Sequence, residues 1–285
     1  MYKLKLRKLY CTGKIRINDK FMSKPTPLKR FGQNYLVDKN IIHKIVAEFN
    51  PGENDVVIEI GPGTGALTSE LGSKVKKLYA VEIDKRVVES LALSFPSVHV
   101  INYDFIKLDL NKYSDEKPLR IIGNIPYNIT SPILFKLIEN RTLVKDAMMM
   151  VQFEVAKRIT AEECSDDYGI LGVVLNFFAD TKLCFKISPN VFYPRPNVDS
   201  AIIHLNFEKE LPANLDFKLF IQVVKASFGN RRKKLKNSLR NSIFKDTEID
   251  QSEFDTSRRA EELTINEFVD LTRIIQRLMS NKERE

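Results

Sequence analysis

The 285-residue sequence contains no tryptophan and only three cysteines and three histidines. Cys11, Cys164 and Cys184 are far apart and odd in number, which excludes a disulfide framework and a zinc site built on a Cys-x-x-Cys pair. The histidines are also scattered, so we expect no metal centre. No apolar run reaches the roughly 18 residues that a membrane span needs. These absences indicate a protein of a reducing compartment, and the cytoplasm is the expected location.

Positive charge is concentrated in two parts of the chain. The sequence has 45 Lys+Arg and 37 Asp+Glu, a net charge of +8. Residues 1–30 hold ten basic residues and one acid, and residues 225–245 hold eight basic residues and no acid, so the rest of the chain is net acidic. Clustered cations are typical of nucleic-acid binding because they displace counterions from phosphates. A solubilising surface with a disordered tail is the alternative at this point.

Residues 1–30 have no helical or strand periodicity and include Pro25 and Pro27. They are predicted to form a basic, flexible N-terminal arm. Basic residues with almost no acids also occur in transit peptides, which gives an organelle as the alternative location. Met22 is an alternative start of translation, so the first 21 residues need not be translated.

From residue 41 onward, short β-branched strands alternate with helical stretches. This alternation predicts βαβ units and a mainly parallel sheet with helices on both faces, an α/β fold. After residue 210 the strand pattern ends and three helices are predicted. We therefore expect a catalytic domain over 31–209 and a helical C-terminal domain over 210–285. The predicted strands are 55–60, 78–83, 98–102, 119–123, 147–151, 182–187 and 199–207, and the predicted helices are 217–228, 232–244 and 264–280.

Acidic and glycine residues follow three successive predicted strands. Residues 59–65 (EIGPGTG) form a glycine turn that fits a dinucleotide binder, a methyltransferase or a plain tight turn. Glu82 ends the next strand, where a carboxylate can hold a ribose through both hydroxyls. Asp104 and Phe105 follow the third strand, where an acid can accept from an adenine amine and an aromatic ring can pack on the base. The order of these features predicts an adenosine-containing ligand and favours a methyltransferase.

The tetrapeptide 124–127 (NIPY) directly follows the predicted fourth strand. It resembles the Asn/Asp-Pro-Pro-Tyr motif of methyltransferases that act on adenine N6. The amine lone pair of adenine is delocalised into the ring, so the nitrogen is a poor nucleophile. The side-chain oxygen of Asn124 and the carbonyl of Ile125 can accept its two hydrogens and favour a more tetrahedral nitrogen. Tyr127 can stack on a flipped base.

Taken together, the motifs resemble those of the small-subunit ribosomal RNA adenine dimethyltransferase family, the KsgA type, over about residues 29–278. The resemblance implies a Rossmann-like class I methyltransferase fold, with seven strands of which the last is antiparallel, and a small all-helical C-terminal domain. It implies S-adenosylmethionine as methyl donor. The motifs that carry it are 30–36 (RFGQNYL), 59–65, Glu82, Asp104-Phe105, 124–128 (NIPYN), 191–200 (VFYPRPNVDS), 228–239 (FGNRRKKLKNSL) and 259–263 (RAEEL).

The resemblance also implies roles for individual residues. The target would be two adjacent adenosines near the 3′ end of small-subunit rRNA, each methylated twice on N6, in free rRNA or in an assembling small subunit. We expect the enzyme to be a monomer. The target base would be presented by Asn124 and Tyr127, with Phe192 on its other face. The cofactor would be bound by Asn34, Leu36, Gly61, Gly63, Glu82, Asp104, Phe105 and Asn124, and the RNA backbone by Arg231, Arg232, Lys233 and Lys234.

Three other interpretations fit part of the sequence. The large-subunit rRNA methyltransferases of macrolide resistance share the cofactor loops and the NIPY motif, although segments 193–200 and 231–239 favour the small-subunit type. A largely non-catalytic ribosome assembly factor on the same fold is the second, and the intact motifs argue against it. A Rossmann dehydrogenase is the third, but no His or Lys constellation suited to hydride transfer is present.

Overall fold

The computed structural model describes residues 26–28, 32–114, 118–230 and 233–282. We number its strands and helices in chain order. The strands are β1 (Tyr35–Leu36), β2 (Val56–Ile60), β3 (Lys77–Glu82), β4 (His99–Asn102), β5 (Leu119–Asn124), β6 (Val144–Gln152), β7 (Asp180–Ile187), β8 (Phe192–Tyr193) and β9 (Ser200–Asn206). The helices are α1 (Lys39–Phe49), α2 (Thr68–Leu71), α3 (Lys85–Ser94), α4 (Thr130–Glu139), α5 (Phe153–Ile159), α6 (Ile170–Phe178), α7 (Phe217–Ser227), α8 (Leu235–Arg240) and α9 (Ile265–Lys282).

A seven-stranded sheet in the order β4-β3-β2-β5-β6-β9-β7 forms the centre of the structure. Strands β2 to β6 pair in parallel, and β9 is antiparallel to both β6 and β7. All seven predicted strands are present, and the predicted antiparallel last strand is confirmed. The chain runs from β2 to β3 and β4 on one side and then to β5 on the other side of β2. Ligands of open α/β sheets bind at such a switch point, beyond the carboxyl ends of the strands.

Apolar residues cover both faces of the sheet. Every residue of β2 is buried, as expected for a central parallel strand with helices on both sides. One apolar cluster packs α1 and α2 on one face, and a larger cluster packs α4, α6 and the C-terminal helices on the other. The Phe177 ring of α6 stacks on the Phe220 ring of α7 at 4.0 Å between centroids, so the C-terminal helices pack against the sheet layer. The boundary predicted near residue 210 stays a prediction.

The C-terminal helices differ from the prediction at one place. Helices were expected over 217–228, 232–244 and 264–280, but the middle one, α8, spans only Leu235–Arg240. The backbone amides of Leu235 and Lys236 donate to the carbonyls of Arg258 and Thr256, at 2.8 and 3.0 Å. These long-range bonds decide where α8 begins, so Lys233 and Lys234 precede the helix. No helix in the described part of the chain has the length and hydropathy needed to cross a bilayer.

A buried ionic network lies at the start of β5. Arg120 donates to Asp146 at 2.7 Å, to Asp55 at 2.7 Å and to the Phe49 carbonyl at 2.6 Å. His204 also contacts Asp146, at 2.8 Å. Removing one partner of a buried pair leaves an uncompensated charge, which is far more costly than losing an exposed pair. The network therefore joins three strands and the end of α1 at the edge of the sheet where β5 begins.

Substituting Arg120 by methionine is expected to lower the free energy of unfolding by about 3 kcal/mol, because the Asp146 carboxylate stays buried without its guanidinium. The matched control is Arg277→Met, which breaks the exposed Arg277–Glu253 pair and is expected to change stability by less than about 1 kcal/mol. Urea denaturation at pH 7 measures both. Equal losses in the two variants would contradict the structural role of this network.

Candidate active site

Four segments of the chain surround one cavity at the carboxyl ends of the parallel strands. They are the loops after β2, β3 and β5, together with residues 32–36. The loop after β4 closes one side of the cavity. The predicted site residues Asn34, Leu36, Gly61, Gly63, Glu82, Asp104, Phe105, Asn124 and Tyr127 all line it, as do Gln33, Tyr35 and Glu59. The sheet thus brings together residues that are up to 94 positions apart in the sequence.

The glycine loop after β2 is shaped by three positive φ angles, at Gly61, Gly63 and Gly65. Gly61 and Gly63 have φ of 64° and 55°, a region that residues with a Cβ rarely adopt. A Cβ at Gly63 would lie 2.9 Å from the ring of Tyr35. This ring therefore covers the loop at van der Waals distance. Glycine at position 63 is required both for the turn and for this close approach.

Glu82 lies at the end of β3 with only 6% of its surface exposed. Its carboxylate accepts from the backbone amide of Gly63 at 3.4 Å and from that of Asp84 at 2.9 Å. Burial raises the pKa of Glu82 above its usual value, and the two amides act against this shift. The carboxylate is thus held rigidly beside the glycine loop, where it can accept hydrogen bonds from a ligand diol.

Glu59 is a cavity residue that the sequence prediction did not include among the binding residues. It is 1% exposed and accepts from the Thr68 hydroxyl at 2.6 Å. Burial raises the pKa of Glu59 to about 7, and the nearby Glu82 carboxylate adds to the shift. The signal in the sequence was an acid placed just before the first glycine of the turn. Two buried acids give this part of the cavity an affinity for positive charge.

A Glu59→Gln substitution is expected to stabilise the ligand-free protein at pH 8. Since the folded pKa of Glu59 lies above the ordinary value of 4.5, its stabilising contribution is full below about pH 4.5 and is lost as the pH rises through 7. Glutamine does not ionise, so the variant should exceed the wild type by about 3 kcal/mol at pH 8 and by less than about 1 kcal/mol at pH 5. Urea denaturation at the two pH values measures this. A variant less stable at pH 8 would contradict the assignment.

Residues 32–36 connect the Glu82 side of the cavity to the loop after β5. The Nδ2 of Asn124 donates to the backbone carbonyl of Asn34 at 3.0 Å. Gln33 donates to Asp84 at 3.3 Å, just beyond Glu82. The hydrogen bond to Asn34 fixes the orientation of the Asn124 side-chain amide, because its nitrogen is the donor. Within the described residues, the Oδ1 of Asn124 has no protein donor and is available as an acceptor.

The loop after β4 carries Asp104 and Phe105. Asp104 caps a short 3-10 helix, with its Oδ1 accepting from the Ile106 amide at 2.9 Å, and Phe105 is 5% exposed. The Lys136 ammonium on α4 donates to the carbonyls of Ile106 and Leu108 at 3.0 and 2.6 Å. These bonds tie the loop to the helix that follows the 124–127 motif. One Asp104 oxygen is thereby committed to the turn, and the other can accept from a ligand amine.

Tyr127 opens a short 3-10 helix and is half-buried at the cavity wall. Its hydroxyl lies 2.8 Å from the Oγ of Ser200. Burial raises the pKa of Tyr127 above its usual value, so the phenol is neutral at physiological pH. The structure therefore places the ring of Tyr127 at the cavity and its hydroxyl on the sheet.

Phe192 is buried outside the cavity lining, and its predicted place at the target base stays a prediction. It was expected to face Tyr127 across that base, and its surface is 4% exposed. Its strand β8 pairs with β1, with Leu36 opposite Phe192, and the ring packs in the apolar cluster of that sheet face. The next residue, Tyr193, is 66% exposed. Strand pairing thus buries the aromatic residue that the motif pattern assigned to the target base.

Of the predicted RNA-contact residues, the two that the structure describes lie apart from the cavity lining. Lys233 and Lys234 are exposed in the loop before α8, and Arg231 and Arg232 lie outside the described residues. Most of the predicted N-terminal arm also lies outside them. In the described part of the chain, no group of three or more His, Cys, Asp or Glu side chains is placed to hold a metal ion.

Comparisons with known proteins agree with this geometry. The ribosomal RNA adenine dimethylase family matches residues 27–277. A protein of Chlorobium phaeobacteroides named ribosomal RNA small subunit methyltransferase A is 44% identical over 252 residues, covering 88% of this chain and 92% of the relative. A protein of the same name from Francisella tularensis subsp. novicida is 44% identical over 256 residues, covering 87% of this chain and 97% of the relative.

Solved structures show the same fold. A dimethyladenosine transferase from Plasmodium falciparum superposes with a TM-score of 0.74 at 26% identity, covering 85% of this chain and 98% of the other. The 23S rRNA methyltransferase ErmE superposes with a TM-score of 0.64 at 25% identity, covering 85% and 100%. The described structure accordingly has the Rossmann-like class I methyltransferase fold with a helical C-terminal region. With the family match over most of its length, the chain belongs to the ribosomal RNA adenine dimethylase family.

Proposed function

We propose that this protein transfers methyl groups from S-adenosylmethionine to N6 of two adjacent adenosines near the 3′ end of small-subunit rRNA, twice on each. The observation that carries this proposal is the Asn124 amide, which is held by Asn34 in the same cavity as the glycine loop and Glu82. An acceptor oxygen at that place suits an exocyclic amine. The names of the 44% identical relatives support the small subunit as the target.

The residues of the cavity fit S-adenosylmethionine. Glu82 would hold the ribose, Asp104 the adenine amine and Phe105 the adenine ring, while Gly61 and Gly63 would pass beneath the methionine part. The buried carboxyls of Glu59 and Glu82 favour a cationic ligand over a neutral one. When bound, this cofactor supplies a methyl group on a positively charged sulfur, which is a good leaving group.

The chain's own contribution is to position and polarise the adenine. Asn124 Oδ1 and the Ile125 carbonyl would accept the two N6 hydrogens, which concentrates the lone pair on the nitrogen. Tyr127 would stack on the base after it leaves the RNA helix. These contacts would present the N6 nitrogen to the methyl group that a bound cofactor supplies, and the N6 proton would leave after transfer. Holding the two reactants in this geometry accounts for most of the rate gain.

Contacts outside the cavity would hold the RNA. Arg231, Arg232, Lys233 and Lys234 are proposed to bind phosphates, which positions the substrate without reading its sequence. Phosphate binding makes affinity fall steeply as salt rises. A monomer in the cytoplasm, acting on an assembling small subunit, remains our expectation for the working form.

The test is methyl transfer from labelled S-adenosylmethionine to small ribosomal subunits from a strain that lacks this modification. Purified large subunits and poly(A) serve as parallel substrates, and the nucleoside products are identified. We expect N6,N6-dimethyladenosine in the small subunit alone. Label confined to the large subunit would favour the macrolide-resistance activity. Cofactor binding without any label would favour a mainly non-catalytic assembly factor.

A further inference from the structure

The hydroxyl of Tyr127 has a partner outside the 124–127 motif, namely Ser200, the last residue of the 191–200 motif. The Tyr127 hydroxyl lies 2.8 Å from the Oγ of Ser200, which is 73 residues further along the chain. This distance is the usual one for a hydrogen bond between two hydroxyls. The tyrosine at the cavity wall is therefore anchored by a residue from another part of the fold.

Ser200 is held more rigidly than Tyr127. It is fully buried and begins β9, the strand between β6 and β7. Its backbone pairs with Gln152 on one side and with Ile187 on the other. Tyr127, by contrast, is half-buried on a short 3-10 helix after Pro126. A side chain on such a loop needs support from a rigid element to keep one orientation.

We propose that Ser200 is a positioning residue that holds the Tyr127 ring in place to stack on the target adenine. This inference rests on the proposed function for the identity of the base. The hydroxyl of Tyr127 is committed to Ser200, and burial keeps the phenol neutral by raising its pKa. Only the face of the Tyr127 ring is then available to the substrate. Tyr127 therefore acts by stacking, and its hydroxyl accepts no proton in the reaction.

The test is a double-mutant cycle with Ser200→Ala and Tyr127→Phe. Each single variant removes the same hydrogen bond, so each is expected to lower kcat about tenfold with little change in cofactor affinity. The double variant should be no slower than either single one, because coupled effects are not additive. The pH profile of kcat should keep its shape in Tyr127→Phe. Ser227→Ala, which removes another buried serine hydroxyl, is the control and should keep the wild-type kcat.

Effects that multiply in the double variant would overturn the proposal, as would wild-type kcat in Ser200→Ala. A parallel loss of thermal stability and cofactor affinity in Ser200→Ala would indicate a purely structural role for Ser200. That result would also overturn the proposal. Ring mobility in the substrate-free protein gives a second measurement, by NMR of ¹³C-labelled tyrosine. We expect the Tyr127 ring to be ordered in the wild type and in Ser227→Ala, and averaged in Ser200→Ala.

The NMR result does not depend on the substrate. If the wild type methylates no small subunit, the proposed function fails, but an averaged ring in Ser200→Ala still supports Ser200 as the anchor. If the ring stays ordered in Ser200→Ala, the positioning role fails whatever the methylation assay gives.

Discussion

Replacing Asn124 with alanine is expected to lower kcat for methyl transfer by about 10³-fold while the affinity for S-adenosylmethionine changes little. The physical reason is the loss of a preorganised acceptor at the atom where positive charge develops. The Asn124 amide nitrogen is engaged by the Asn34 carbonyl at 3.0 Å, so its oxygen is already oriented before the substrate arrives. Single-turnover methyl transfer measures the rate, and isothermal titration calorimetry measures cofactor affinity.

Two further variants sharpen the interpretation of Asn124→Ala. Asn124→Asp keeps an acceptor oxygen but loses the Nδ2 group that donates to the Asn34 carbonyl. Its activity should therefore lie between that of Asn124→Ala and that of the wild type. Asn140→Ala changes an asparagine at the opposite end of α4, where the side chain donates to the Lys136 carbonyl, and it should retain wild-type kcat. Wild-type turnover in Asn124→Ala would remove Asn124 from the mechanism.

The second large effect is expected for Glu82→Gln, which should weaken S-adenosylmethionine binding about 100-fold. The substitution keeps the shape of the side chain but removes a charge and one acceptor oxygen. Hydrogen bonds to a charged group contribute roughly 1.5–3 kcal/mol each, and about 3 kcal/mol corresponds to a factor near 100. The fold should persist, because burial already disfavours the charged form of Glu82 and raises its pKa.

A ligand without the ribose 2′-hydroxyl isolates the contact. The wild type should bind S-adenosylhomocysteine more tightly than its 2′-deoxy analogue, and Glu82→Gln should bind the two nearly equally. Glu89→Gln makes the same change of charge on the exposed side of α3 and should behave as the wild type. A Glu82→Gln protein that still distinguishes the two ligands would contradict the ribose role.

Much of the fold was predictable because its signals are local. Each of the seven strands is a short apolar run, and its position follows from β-branched residues bounded by turns. The glycine loop, Glu82 and Asp104 follow three of these strands directly. Because parallel strands end at one edge of the sheet, their order along the chain was enough to predict that they share a cavity. The tertiary structure places all of them there.

Local signals failed where long-range contacts decide the outcome. Helix α8 was predicted over 232–244, but its start is set by carbonyls of Thr256 and Arg258. The burial of Phe192 was also not predicted, since pairing with Leu36 places its ring in the apolar cluster, and its role at the target base stays a prediction. Sequence periodicity does not show which distant backbone groups will form hydrogen bonds with the end of a helix. It also does not show which face of a two-residue strand will be buried.

The sequence by itself determined the residue types at the cavity, and with them the family and the chemistry. What only the tertiary structure decided is how those residues are held. Asn34 orients Asn124 across 90 positions, and Ser200 anchors Tyr127 across 73. The sequence pattern does not indicate such pairs, because a hydrogen bond between distant residues depends on where the packed sheet places the two atoms. The chemistry is encoded in local motifs, whereas the orientation of each reactive group is a property of the folded sheet.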